Sequence, residues 1–288
     1  MTGRPAILVT GGAGFIGAHV CKALARAGCL PVVYDNLSTG HATNVRWGPA
    51  VFADVRDRAT LRDTILRHDI VAVMHFAASA YVGESVSDPL KYHDNNIGGM
   101  IALLDACRQT GLKRVVLSSS CATYGQAGSC PITETTAQVP INPYGFTKLA
   151  CERMLLDHVA AHGIEPAILR YFNATGADPA GELGEVHSPE THLIPLALLA
   201  ASGRGGPLAV FGTDYDTPDG SCIRDYIHVD DLARAHLLAL AYVMGGGGPL
   251  TLNLGTGRGV SVLQVLDAVA RVTQRPVPFQ TRPRRAGD

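Results

Sequence analysis

Through about its first 170 residues the chain alternates short runs rich in β-branched residues with longer segments of helical period. A parallel sheet with helices on both faces accommodates that order; an all-helical or all-β domain does not. The runs "AILVT", "LPVVYD", "AVFAD", "IVAVMHFAA", "RVVLSSS" and "PAILRYF" read as six successive strands. Between them "IGAHVCKALARAG", "RATLRDTILRH", "DPLKYHDNNIGGMIALLDACRQTG" and "PYGFTKLACERMLLDHVAAHG" read as helices. The last two close at Gly111 and Gly163, the residue type that ends a helix without steric cost. The expected fold is α/β, a doubly wound parallel sheet of the Rossmann kind. After Asn173 the regularity gives way to "ATGADPAGELGEVHSPETH", which sets a boundary between residues 1–173 and a smaller lobe over residues 174–288, interleaved with the first domain. The later runs "LAVFG", "CIRDYIHVDDLARAHLLALAY", "LTLNLGTG" and "VSVLQVLDAVARVTQ" are expected to close over the carboxyl edge of the sheet.

"TGGAGFIG" follows the first strand directly and opens a helix, with Gly11, Gly14 and Gly17 spaced three apart. In such a turn the first glycine permits a tight bend, the second lets a phosphate approach the backbone, and the third lets helix and strand pack closely. The free amides of Phe15 and Ile16 at the helix start then face a pyrophosphate. Asp35 ends the second strand, where its carboxylate can accept both hydroxyls of an adenosine ribose. That negative charge repels a phosphate on the same ribose, and "DNLSTG" offers no Arg or Lys to offset it, so NAD is favoured over NADP. Asp54, after the third strand, reads either as an adenine contact or as a solvated loop acid. A second glycine turn, "GTGRG" at Gly255 to Gly259, lacks the spacing and the downstream acid and is assigned to turn chemistry.

"NPYGFTK" sets a phenol and an ammonium four residues apart. Asn142 is a good N-cap and Pro143 suits the first helical position, so Tyr144 lies in the first turn with Lys148 on the same face. A phenol has a pKa of ~10, and service as a base near pH 7 needs a depression of ~3 units. Lys148 and the charge of an oxidised nicotinamide can supply it. Taken alone, the pair also fits a surface Tyr and Lys. The serines of "SSSCATYG" follow the fifth strand and present hydroxyls at the edge where open sheets bind ligands; Ser120 can relay a proton between a substrate hydroxyl and Tyr144, or merely cap a turn.

Composition narrows the partners. The 24 basic and 25 acidic residues leave a formal charge of −1, so no broad basic field exists to draw nucleic acid or an anionic membrane. Seven cysteines form no CxxC pair, which suits free thiols in the cytoplasm. The N-terminus lacks the features of a secretory signal, and no apolar run approaches the ~20 residues that span a bilayer. Glu185, His187, Glu190 and His192 match no strong ligand spacing and are expected to be solvated loop residues, with no metal.

With these motifs in this order the sequence resembles the extended short-chain dehydrogenase/reductase family and, within it, the family of UDP-glucose 4-epimerases. "YDNLSTG", "HFAASAYVGESVSDPLKYHDNN", "LRYFNATGADPAGELGE", "THLIPL", "IRDYIHVDDLARAH" and "NLGTG" extend the likeness over nearly the whole chain. The resemblance implies that residues 1–173 bind NAD and residues 174–288 the UDP-sugar, and that UDP-glucose and UDP-galactose interconvert through a transient 4-keto sugar. Ser120, Tyr144 and Lys148 would be the catalytic set. The cofactor positions it implies, beyond the glycine turn and Asp35, are Asn36, Asp54, Val55, Phe76, Ala77, Ala78, Asn95 and Tyr171, with Tyr144 and Lys148 shared. The nucleotide-sugar contacts would be Ser120, Tyr144, Asn173, Leu193, Phe211, Arg224, Tyr226, Arg285 and Asp288, the arginine forks meeting the diphosphate. UDP-xylose/UDP-arabinose and UDP-N-acetylhexosamine 4-epimerases share the same catalytic residues, and a silent NAD- or nucleotide-binding module is the alternative of another class. A 4,6-dehydratase would need carboxylates after the triple serine, and Cys121, Ala122 and Thr123 offer none. Relatives of this kind continue past "RPRRAGD", so the lobe is expected to lack a usual C-terminal segment; a homodimer through paired helices is the family expectation.

Overall fold

The computed structural model describes residues 3–128 and 130–284. Its first half runs β1 (Ala6–Thr10), α1 (Phe15–Arg26), β2 (Leu30–Asp35), β3 (Ala50–Phe52), α2 (Arg58–Arg67), β4 (Ile70–His75), α3 (Val82–Ser87), α4 (Pro89–Tyr92), α5 (Gly98–Thr110), β5 (Arg114–Ser120), α6 (Pro143–His162) and β6 (Glu165–Tyr171). Then follow β7 (Asn173–Thr175), α7 (Leu193–Ala201), β8 (Leu208–Phe211), β9 (Ile223–His228), α8 (Val229–Met244), β10 (Leu250–Leu254), β11 (Gly259–Ser261), α9 (Val262–Thr273) and β12 (Phe279–Arg282).

Seven parallel strands form the main sheet in the order β10-β6-β5-β4-β1-β2-β3. The doubly wound sheet is the fold the alternation predicted. The chain winds outward one way through β2 and β3 and then the other way from β4, so the strand order reverses beside β1, where open sheets form a ligand crevice.

The two-residue period of β1 explains both cores. Ala6 and Leu8 join Leu61, Leu103 and Leu155 on the face covered by α2, α5 and α6. Ile7 and Val9 point the other way, among Val20 and Leu24 of α1 and Leu240 and Val243 of α8. A third cluster, built from Ala197 of α7, Val210 of β8 and Leu266 of α9, stands apart as the core of the smaller lobe.

Three expectations change. The long helix predicted over residues 88–111 is broken into α4, a π-turn at His93–Ile97 and α5. Its extra residue per turn is held by the buried Asn96, whose amide bonds Ser79 and Thr147. The third and fourth strands stop early, at Phe52 and His75, releasing Asp54, Val55 and residues 76–78 as loops over the carboxyl edge. The later elements do not all close over that edge: "LTLNL" is β10, paired in parallel with β6, and α8 packs beside α1 because its apolar stripe extends the same core. Helices α5 and α6 end as expected, Gly111 and Gly163 adopting left-handed φ of 75° and 64°. Among the described residues no helix is long and apolar enough to cross a membrane.

Candidate active site

The turn after β1 has the shape of a phosphate seat. Gly11 has φ +73°, and a Cβ there would lie 2.7 Å from the amide nitrogen of Ala77, which together require glycine. A Cβ on Gly17 would lie 2.2 Å from the carbonyl oxygen of Gly11, so helix and turn touch. Gly14 is the N-cap of α1 and supplies no side-chain cap, leaving the first-turn amides of Phe15 and Ile16 to an anion. Asp35 borders this turn: Oδ2 accepts from the Ala13 amide at 3.0 Å and Oδ1 from the Leu37 amide at 2.8 Å. Burial pushes its carboxyl upward while those amides pull it down. Glycine cradle, open helix start and bordering acid fit NAD.

The flanking cofactor positions fall along the same edge. Phe76 and Ala77 are tied to Thr10, their amides reaching its carbonyl at 2.9 Å and its hydroxyl at 3.5 Å; Ala78 continues that loop. Val55 is buried against Gly99, and Asn95 donates to Asn96 at 3.0 Å. Asp54 is held at both oxygens by Arg56, each contact 2.8 Å, with Asn36 at 3.3 Å. The Arg56 bonds pull its carboxyl well below the usual range. The Arg56 pair leaves both readings of Asp54 standing, adenine contact and loop acid.

Ser120, at the end of β5, and Tyr144, in the first turn of α6, come together. Asn142 caps the helix, accepting from the Gly145 amide at 2.8 Å, with Pro143 at the first position. The Ser120 hydroxyl lies close enough to the phenol to favour its ionised form, and it accepts from the Ala122 amide at 3.1 Å. Lys148, one turn on, is buried; its Nζ donates to the Ser118 carbonyl at 2.8 Å and stands 5.9 Å from the centre of the Tyr144 ring. Burial pushes this ammonium down to about 8. The expected depression of the phenol is not present in the protein alone: burial, reinforced by Tyr171, pushes Tyr144 up, against the pull of the nearby Ser120 hydroxyl. Tyr171, at the end of β6, bonds Ser118, and burial raises it to about 12.

Sequence reasoning missed the brace beneath this set. Glu152, two turns beyond Tyr144 on α6, pairs with Arg170 of β6 at 2.6 Å, both groups buried, and also accepts from Ser119. Arg170 continues to the Tyr124 hydroxyl at 2.8 Å. The signal was available: residues 144, 148 and 152 repeat at a spacing of four, one helical face.

From the smaller lobe, Arg224 and Tyr226 lie on β9, with the Arg224 charge close enough to Cys121 to act on its thiol. Asn173, on β7, pairs with Tyr226 in register and donates to the Asp225 carbonyl at 3.1 Å. Leu193 opens α7 and, with Tyr226, packs on the lobe core, while Phe211 ends β8. Arg285 and Asp288 lie outside the described residues. The "GTGRG" turn is turn chemistry, as read: the amides of Thr256 and Gly257 donate to the Asp225 carboxylate at 2.9 and 2.8 Å.

The expectation of solvated loop residues at 185–192 is corrected. Glu185, His187, Glu190 and His192 converge, their donor atoms all within 4.8 Å of one another. The Glu185 and Glu190 side chains keep only 8% and 12% exposure, because the loop folds back on itself beneath Tyr81. Burial, and then the neighbouring Glu190, push Glu185 up to about 8.

Comparison with known proteins agrees with this geometry. Residues 7–255 match the NAD dependent epimerase/dehydratase family. The UDP-glucose 4-epimerase of Rhizobium meliloti (strain 1021) is 53% identical over 282 residues, covering 98% of this chain and 86% of its own length. The crystal structure of UDP-glucose 4-epimerase from Brucella ovis in complex with NAD superposes with a TM-score of 0.96 at 59% identity, covering 99% of this chain and 88% of that one. The Bifidobacterium longum UDP-glucose 4-epimerase in complex with NAD+ and UDP gives 0.93 at 38% identity, covering 98% and 88%.

Proposed function

Since the chain belongs to the NAD dependent epimerase/dehydratase family, we propose that it interconverts UDP-glucose and UDP-galactose by inverting carbon 4 of the sugar. When bound, NAD supplies a reversible hydride acceptor and, oxidised, a positive charge that favours a phenolate nearby. Gly11, Gly14 and Gly17 would hold its pyrophosphate, Asp35 its adenosine ribose, and Lys148 its nicotinamide ribose.

Tyr144 holds and moves the proton of the sugar's 4-hydroxyl, directly or through Ser120. As oxidation proceeds, that proton passes to the phenolate oxygen; on reduction of the 4-keto sugar from its other face, Tyr144 returns it. Burial raises the phenol in the protein alone even with Lys148 beside it, so a base at neutral pH exists only once the positive charge of the cofactor is added. Arg224 binds the substrate diphosphate, supported by its closeness to Cys121 beside the catalytic serine. Residues 1–173, joined by α8 and β10, act as the cofactor domain, and the rest of residues 174–288 as the substrate lobe.

The observation that carries this reading is the meeting of the Ser120 hydroxyl, the Tyr144 phenol and the Lys148 ammonium at one sheet edge. Purified protein given UDP-galactose without added reductant should form UDP-glucose. Tyr144→Phe should lower the rate by about 10²–10⁴-fold while cofactor stays bound. Absence of conversion with NAD and UDP both bound would mark a silent binding module instead.

The same reading carries a homodimer through paired helices, supported by exposed Ile101 on α5 and Phe146 and Leu156 on α6; light scattering reads its mass. A cytoplasmic setting is supported by the seven free thiols.

A further inference from the structure

The loop between β7 and α7 repeats one short pattern, Glu185-x-His187 and Glu190-x-His192, and folds so that the two halves face each other. His192 Nδ1 lies 3.0 Å from Glu190 Oε1 and 3.2 Å from Glu185 Oε1. His187 Nδ1 lies 3.4 Å from Glu190 Oε2 and 3.8 Å from Glu185 Oε1. A tetrahedral ion bound at 2.0–2.1 Å holds its ligand atoms about 3.3 Å apart along each edge. The separations through Glu185 Oε1 and Glu190 Oε1, at 3.0, 3.2 and 3.8 Å, lie near that length, and His187 reaches Glu190 through its other oxygen, Oε2, at 3.4 Å.

We propose that Glu185, His187, Glu190 and His192 form a structural Zn²⁺ site that clasps this loop at the start of α7. Two imidazoles and two carboxylates suit zinc, whereas Ca²⁺ and Mg²⁺ demand more oxygen donors than this cluster holds. Two carboxylate charges neutralise a divalent ion without further groups. Four protein donors leave no open position, the mark of a structural rather than a catalytic ion.

The surroundings fix the donors before any ion arrives. Glu190 Oε1 accepts from the amides of Thr191 and His192 at 2.8 and 2.9 Å, and His41 Nε2 meets the Val186 carbonyl at 3.1 Å. The Tyr81 ring lies edge-on to His187 at 6.2 Å and tilted to His192 at 5.8 Å. His192, with 42% of its side chain exposed, leaves an entry path. The clasp acts where it matters for the lobe, because His192 is the N-cap of α7 and Leu193 its first residue. Tyr81 continues inward to the Tyr92 hydroxyl, and the Tyr92 ring packs edge-on to Tyr144 at 6.5 Å.

The test uses the full chain freed of any histidine tag. After equilibration with Zn²⁺ and removal of loose ion, mass spectrometry of the metal should find about one zinc per chain, and Zn²⁺, unlike Mg²⁺, should raise the thermal midpoint. His187→Ala and Glu185→Gln should each lower zinc content by about tenfold or more. Their near-ultraviolet circular dichroism reports whether they fold. Should either variant not fold, release of zinc from the folded wild type to a colorimetric chelator still reads the stoichiometry. Wild-type protein without zinc above buffer level, or folded variants with full zinc, overturns the site and identifies a purely hydrogen-bonded cluster. Metal content is read without turnover, so its outcome stands apart from that of the epimerase assay.

Discussion

At Lys148 the fold encloses an ammonium and gives it the carbonyl of Ser118. Its proton affinity falls from the usual 10.5 to about 8, a difference of roughly 3 kcal/mol. Below pH 8 the group is charged both folded and unfolded, and the fold bears the whole cost of burying the charge. Between pH 8 and 10.5 the unfolded chain keeps a proton that the native state has lost, so stability rises with pH across that window. Lys148→Met should therefore stabilise the cofactor-free protein by about 1–3 kcal/mol at pH 7, the lost carbonyl bond offsetting part of the gain. That advantage should fade by pH 10.5. Urea unfolding at the two pH values reads it, and a variant no more stable at pH 7 refutes the burial argument. The Tyr-Lys pair itself was legible in sequence. The upward shift of the phenol was not, because its causes, burial and then the charge interaction with Tyr171 of β6, come from tertiary packing.

Among elements, α6 shows why spacing reveals more than composition. Asn142, Pro143 and Gly163 mark its two ends in the sequence, and the helix observed lies within those limits. Its buried face carries Lys148 and Glu152 with Tyr144 at its head, and the Glu152–Arg170 pair fastens that face to β6. Glu152→Gln leaves the Arg170 guanidinium buried without a counter-charge and should cost about 3–5 kcal/mol in urea unfolding. Adding Arg170→Met should restore part of that loss. Strictly additive losses would mean the two groups are not coupled. The π-turn before α5 was beyond the sequence, because helical periodicity tolerates one inserted residue and the bonds from Asn96 to Ser79 and Thr147 that hold it are tertiary.

Across the whole molecule, the composition shift after Asn173 is a local signal, whereas strand membership is decided by partners far along the chain. Hence "LTLNL" reads as part of the lobe yet pairs with β6, and α8 shares a core with α1. A lobe threaded back into the main layer in this way cannot open without disturbing that layer. Calorimetry should accordingly record one cooperative transition, with equal calorimetric and van't Hoff enthalpies; two resolved transitions would show independent units. The same threading brings Asp225 of β9 under the second glycine turn, where its carboxylate already sits on the amides of Thr256 and Gly257. An internal anion thus plugs the nest that a nucleotide would otherwise mistake for its berth. The chain keeps two glycine turns of similar look, but only the one after β1 is open.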